Sequence, residues 1–90
     1  MAELLFSEQA DATLTRLEAD PSQQLLVGRL HSALDMLEAD PGSAACRRRR
    51  FALIDLWGMA VAVDDEDWLI LWEPGHQSDT VVVHAIAPAP

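Results

Sequence analysis

Four consecutive arginines, Arg47 to Arg50, and a histidine in a proline- and glycine-punctuated loop, His76, are the residues of this chain best suited to act on a phosphate ester. A guanidinium beside phosphorus offsets the negative charge that builds in the transition state, and an imidazole titrates near working pH and can move a proton. The candidate catalytic set is therefore Arg47, Arg48, Arg49, Arg50 and His76. Side chains alternate across an extended strand, so Arg47 and Arg49 would share one face and Arg48 and Arg50 the other. Two at most would then serve one site. The run also reads as a basic strip that meets solvent or a partner. Of the other histidines, His84 falls in a β-forming segment and His31 beside the apolar stripe of a helix.

Metal and thiol chemistry find no comparable support. No Cys or His pair has zinc-ligand spacing, and the run Asp64-Asp65-Glu66-Asp67 lacks the spacing and the glycine of a calcium loop. The single cysteine, Cys46, has no partner for a disulfide within the chain and no base to activate it. No metal and no cofactor is expected. Trp57, Trp68 and Trp72 have faces on which bases can stack, but in so acidic a chain they read as core or as partner interface.

That acidity is pronounced. Fifteen Asp and Glu stand against six Arg and no Lys among 90 residues, for a formal charge of −9. Such a surface repels a polyanion everywhere except where the arginines gather. Half of the residues are apolar, which suits one small globular domain, expected over residues 1–87, with 88–90 as a frayed tail. No apolar run approaches the ~20 residues needed to span a bilayer. The N-terminus carries Glu3 and lacks a basic region before a long apolar stretch, so a cytoplasmic setting without membrane contact is expected.

The elements that must position the candidate residues follow from periodicity. A short apolar run, Glu3 to Phe6, precedes Ser7, a helix N-cap, and Ala10, Leu14 and Leu17 then recur at helical spacing up to Asp20-Pro21. Asp20, Pro21 and Gln23 open a second helix whose stripe is Leu26, Leu30, Ala33, Leu34 and Leu37, ending at Asp40-Pro41-Gly42. The pentapeptide Leu-Glu-Ala-Asp-Pro closes both helices, at Leu17 to Pro21 and Leu37 to Pro41, and with no third copy it marks two similar helix ends, not a solenoid. Beyond it the period becomes two. Met59 to Val63 and Trp68 to Trp72 form a hairpin about the acidic turn, Thr80 to Ala87 a further strand, and Arg47 to Ile54 one more. Both faces of the hairpin are apolar, so one is covered by helices and the other suits a partner or a second copy. The fold class is α+β: a short N-terminal strand and an αα-hairpin packed on a three- to four-stranded antiparallel sheet.

The residues at the joints add a resemblance. Leu5-Phe6-Ser7-Glu8-Gln9-Ala10 resembles the opening of the RelE/ParE superfamily of toxin-antitoxin toxins, and Trp57 to Val63 with Trp68 to Glu73 looks like that family's central hairpin. The resemblance implies a bacterial toxin neutralised by an antitoxin protein. RelE-like members cut mRNA on the ribosome without a metal, using basic side chains, and ParE-like members poison DNA gyrase. Arg47 to Arg50 match the family's basic segment after the helical hairpin, whereas Leu69 occupies the place of the hairpin's characteristic arginine. The resemblance therefore implies either an active toxin or a scaffold that keeps the binding role without the cleavage.

Overall fold

A computed structural model describes residues 2–77 and 79–89. In chain order the elements are β1 (Glu3–Phe6), α1 (Glu8–Glu18), a 3-10 turn (Pro21–Gln23), α2 (Gln24–Ala39), β2 (Arg49–Phe51), β3 (Leu56–Val63), β4 (Glu66–Pro74) and β5 (Thr80–Pro88). The architecture is α+β, two helices on one sheet. The sheet is larger than expected and mixed: five strands in the order β1-β5-β4-β3-β2, with β1 parallel to β5 and the other neighbours antiparallel. The N-terminal strand is thus part of the sheet. Its direction follows from the helical hairpin, which carries the chain away and lets Glu3 to Phe6 lie along Thr80 to Val83.

Ser7 works as the cap that its residue type suggests. Its Oγ accepts the Ala10 N–H at 3.1 Å and also donates to the His84 carbonyl at 2.5 Å, so one hydroxyl starts α1 and pins it to β5. Between the helices, the Ser22 hydroxyl and amide donate to Asp20 Oδ1 at 2.8 and 2.9 Å and hold that carboxyl below its usual range. His31 reaches Glu18 at 2.9 Å, which ties the end of α1 to α2.

The core lies between the helices and one sheet face. Leu17, Leu26, Leu30, Leu34 and Leu37 meet Met59, Val61, Trp68, Ile70, Trp72, Val81, Val83 and Ile86, all buried. The stripe read from 3.6-residue spacing is the face that packs. Between β3 and β4 the chain turns through Asp64 and Asp65, and Asp64 takes φ 51, a left-handed conformation that Asp tolerates because its short carboxylate can bond locally.

Cross-strand partners share a face, so the opposite side of the sheet carries Gly58, Ala60, Ala62, Leu69, Leu71 and Ala85, of which Leu69 is buried, Leu71 half-buried and the alanines of β3 exposed. His84 sits at an irregularity between β4 and β5, where the register shifts between Leu71 and Trp72. Its Nε2 comes within 3.2 Å of Glu73 Oε1, an ion-pair distance without hydrogen-bond geometry. At the C-terminus the strand outruns the expected boundary at Ala87: Pro88 pairs with Trp68, and the Ala89 N–H donates to the Asp67 carbonyl at 2.7 Å.

Candidate functional site

The basic run is built differently from the strand that alternation assumes. Regular pairing begins only at Arg49, opposite Gly58, and Arg47 and Arg48 lie in the turns before it. The two-face rule therefore fails for the first half of the run. Arg47 and Arg50 both lie over the Trp57 ring, at 5.1 and 4.9 Å from its centroid, and Arg47 is also 5.7 Å from that of Trp72. Arg49 instead lies 5.1 Å from the ring centroid of Phe51, and with Arg48 lines a separate groove. The four arginines do not converge.

Stacking has a reason in the sequence. A guanidinium is weakly hydrated and planar, so it covers an indole at little desolvation cost while its edge stays available for hydrogen bonds. Arg47 uses its Nε to donate to the Pro41 carbonyl at 3.1 Å, fixing the side chain between the end of α2 and the sheet. Arg50 forms an ion pair with Asp55, whose φ of 57 closes the loop between β2 and β3.

Arg47 and His76 do meet at one cavity. It has a volume of about 440 Å³ and is walled by Pro41, Trp72, Pro74 to Gln77 and Asp79 to Val81. Two contacts shape this wall: Gly75 N–H donates to the Thr80 carbonyl at 2.9 Å, and Thr80 Oγ1 donates to the Gln77 carbonyl at 2.6 Å. The cavity offers one cation, one imidazole, the Asp79 carboxylate and an aromatic wall. This set can hold a small anion against Arg47. For acid-base work His76 would need an oriented partner, and none of the three ion pairs among the described residues includes it.

The tryptophans divide between core and surface. Trp72 is fully buried and donates its indole N–H to the Cys46 carbonyl at 2.8 Å. Trp68 is 7% exposed and belongs to the same core. These two are removed from the expected partner interface, because both point toward the helices, where burial is worth most. Trp57 is half-buried beneath Arg47 and Arg50 and keeps some surface for a partner.

Other surfaces carry features that residue type alone does not signal. Leu53 and Ile54, at the tip of the β2–β3 connection, are 103% and 55% exposed, and on the far edge of the sheet Leu5 and Phe6 are open to solvent. Beside β3 runs a groove of about 650 Å³, flanked by Arg29 and Met36 of α2, by Arg48 and Arg49, and by Ala60 and Leu69. The short reach of β2 creates it, and the position of Pro, Gly and Ser in the segment before Arg47 is the only hint of that in the sequence.

Among the described residues no group of three or more His, Cys, Asp or Glu is placed to hold a metal ion, and no helix is long and apolar enough to cross a membrane. No protein-family model matches the chain, and no curated protein or solved structure shows significant similarity to it.

Proposed function

We propose that the chain is the toxin-like component of a RelE/ParE-type pair and acts by binding a protein, not by cutting RNA. The observation that carries this reading is the division of Arg47 to Arg50 between two separate surfaces, with Arg47 stacked over Trp57 and Trp72 and Arg50 paired to Asp55. A metal-free cleavage site needs its cations preorganised around one phosphate. The order of a short strand, two helices and an antiparallel meander supports the kinship, and the exposed Leu53 and Ile54 support a role in protein contact.

A second reading, residual RNA cleavage, is favoured by one fact: Arg47 and His76 line the same cavity. Induction of the chain in a bacterial host separates the two. Growth arrest with intact transcripts, unchanged by His76→Ala and relieved by Leu53→Asp with Ile54→Asp, is the expected result. New transcript ends, mapped by primer extension and lost in both Arg47→Ala and His76→Ala, would establish the second reading. Undisturbed growth would remove the toxin role altogether.

A further inference from the structure

The strand β3 is paired along all but its first residue on one side and along less than half of its length on the other. Toward β4 every residue from Trp57 to Val63 has a partner, whereas β2 covers only Leu56, Trp57 and Gly58. Residues 59–63 therefore form a free edge, Met-Ala-Val-Ala-Val, on which alternate residues present unpaired N–H and C=O groups. Natural sheets protect such an edge with charge, proline, a bulge or a covering element. This one has no charged residue and no proline, and the groove of about 650 Å³ runs beside it.

The two ends of the edge are oppositely charged. At the Met59 end the chain enters β2 through Arg48 and Arg49, which both line the groove and form none of the three ion pairs among the described residues. At the Val63 end stand Asp64 and Asp65, exposed at the turn into β4. We infer that this edge pairs with the same edge of a second copy, antiparallel and centred on Val61, with the acidic turn of each copy beside Arg48 and Arg49 of the other. A two-fold axis requires a self-complementary patch, and an antiparallel edge with a basic and an acidic end is one.

The lengths agree as well. Centred on Val61, Met59 lies opposite Val63 of the second copy, so the five free residues of each strand are matched. The chain turns away at Asp64 where β2 would otherwise obstruct it. Side chains of the incoming strand enter the groove against Met36, which is 47% exposed in the single copy. The two five-strand sheets become one continuous sheet of ten. A net charge of −9 on each copy opposes association in general, which makes the local pairing of arginine with aspartate decisive for register and increases its sensitivity to salt.

Sedimentation equilibrium over a range of protein concentrations tests the proposal. Twice the monomer mass is expected, with Arg48→Glu or Asp65→Arg each weakening the dimer about tenfold by turning two attractions into two repulsions, and the combined variant restoring it. Both positions are exposed, so neither change threatens folding. Hydrogen exchange supplies a second readout: amides within 59–63 should slow as concentration rises. A monomer at every concentration would overturn the proposal, including one that instead takes up an acidic extended peptide. So would a dimer indifferent to both charge reversals.

Discussion

Replacing Trp72 with alanine is expected to destabilise the fold by about 3–5 kcal/mol, the range for a large aromatic removed from a core. Three losses coincide there. The side chain is fully buried among Cys46, Ile70, Val81 and Val83 in the core cluster, its indole N–H is the partner of the Cys46 carbonyl, and its ring is one of the two against which Arg47 rests. Removing the indole leaves a cavity, orphans a carbonyl next to the basic run, and takes a wall from the space shared by Arg47 and His76. Urea unfolding followed by circular dichroism measures the cost. Trp72→Phe should recover most of the packing but not the hydrogen bond, and should therefore fall between wild type and Trp72→Ala. Equal losses for the two variants would show that the polar contact, and not volume, dominates at this position.

Gly75→Val is expected to destabilise by about 1–3 kcal/mol through overpacking. A Cβ at position 75 would meet the Cβ of Thr80 at 2.9 Å and its backbone carbonyl carbon at 3.3 Å, and backbone cannot yield as a flexible side-chain tip can. The loop would have to open, at the expense of the Gly75 N–H bond to the Thr80 carbonyl and of the cavity that holds His76. Gly28 provides the contrast. It lies within α2 with open space where its Cβ would be, so Gly28→Ala should stabilise by about 0.5–1 kcal/mol by helix propensity. Thermal unfolding of the two variants should therefore shift in opposite directions, and a stabilised Gly75→Val would contradict the close packing of Gly75 against Thr80.

What could be read in the residues, and what could not, follows the range of the interactions involved. The α2 stripe from Leu26 to Leu37 and the cap at Ser7 are local patterns, as is the hairpin across Asp64 and Asp65, and each is where spacing puts it. The pairing of Leu4 with Val81 joins opposite ends of the chain, and no local pattern encodes its parallel direction. That is why the sheet has five mixed strands where three or four antiparallel ones were expected. The basic run failed for a different reason. Alternation assumes a strand throughout, but β2 starts at Arg49, and the aromatic rings of Trp57 and Trp72 claim Arg47 in a way that depends on tertiary packing. The tryptophans were ambiguous between core and partner surface because both uses demand the same large apolar side chain. Burial resolved Trp68 and Trp72 toward the core.

The histidines illustrate the same limit. In the sequence His76 falls in a proline- and glycine-punctuated loop and His84 in a β-forming segment, and neither shows a partner. In the fold His84 lies within ion-pair distance of Glu73 on a strand, while His76 stands at a cavity beside a stacked arginine. Only the environment separates a half-buried strand residue from one placed where a ligand could reach it.

That Arg47 to Arg50 do not act as one phosphate site is tested most directly by titrating the protein with a short single-stranded RNA at several salt concentrations, following the tryptophan fluorescence. Trp57 lies under both Arg47 and Arg50, so an RNA strand engaging the run would alter its emission. No saturable change up to roughly 0.1 mM RNA, the weak end of ordinary nonspecific binding, is expected at physiological salt, since a chain of net charge −9 repels the strand and its arginines do not act together. Saturable binding well below that concentration, with a log-log salt slope of about −3 as four arginines releasing counterions together would give, would contradict the division of the run and restore it as a single site.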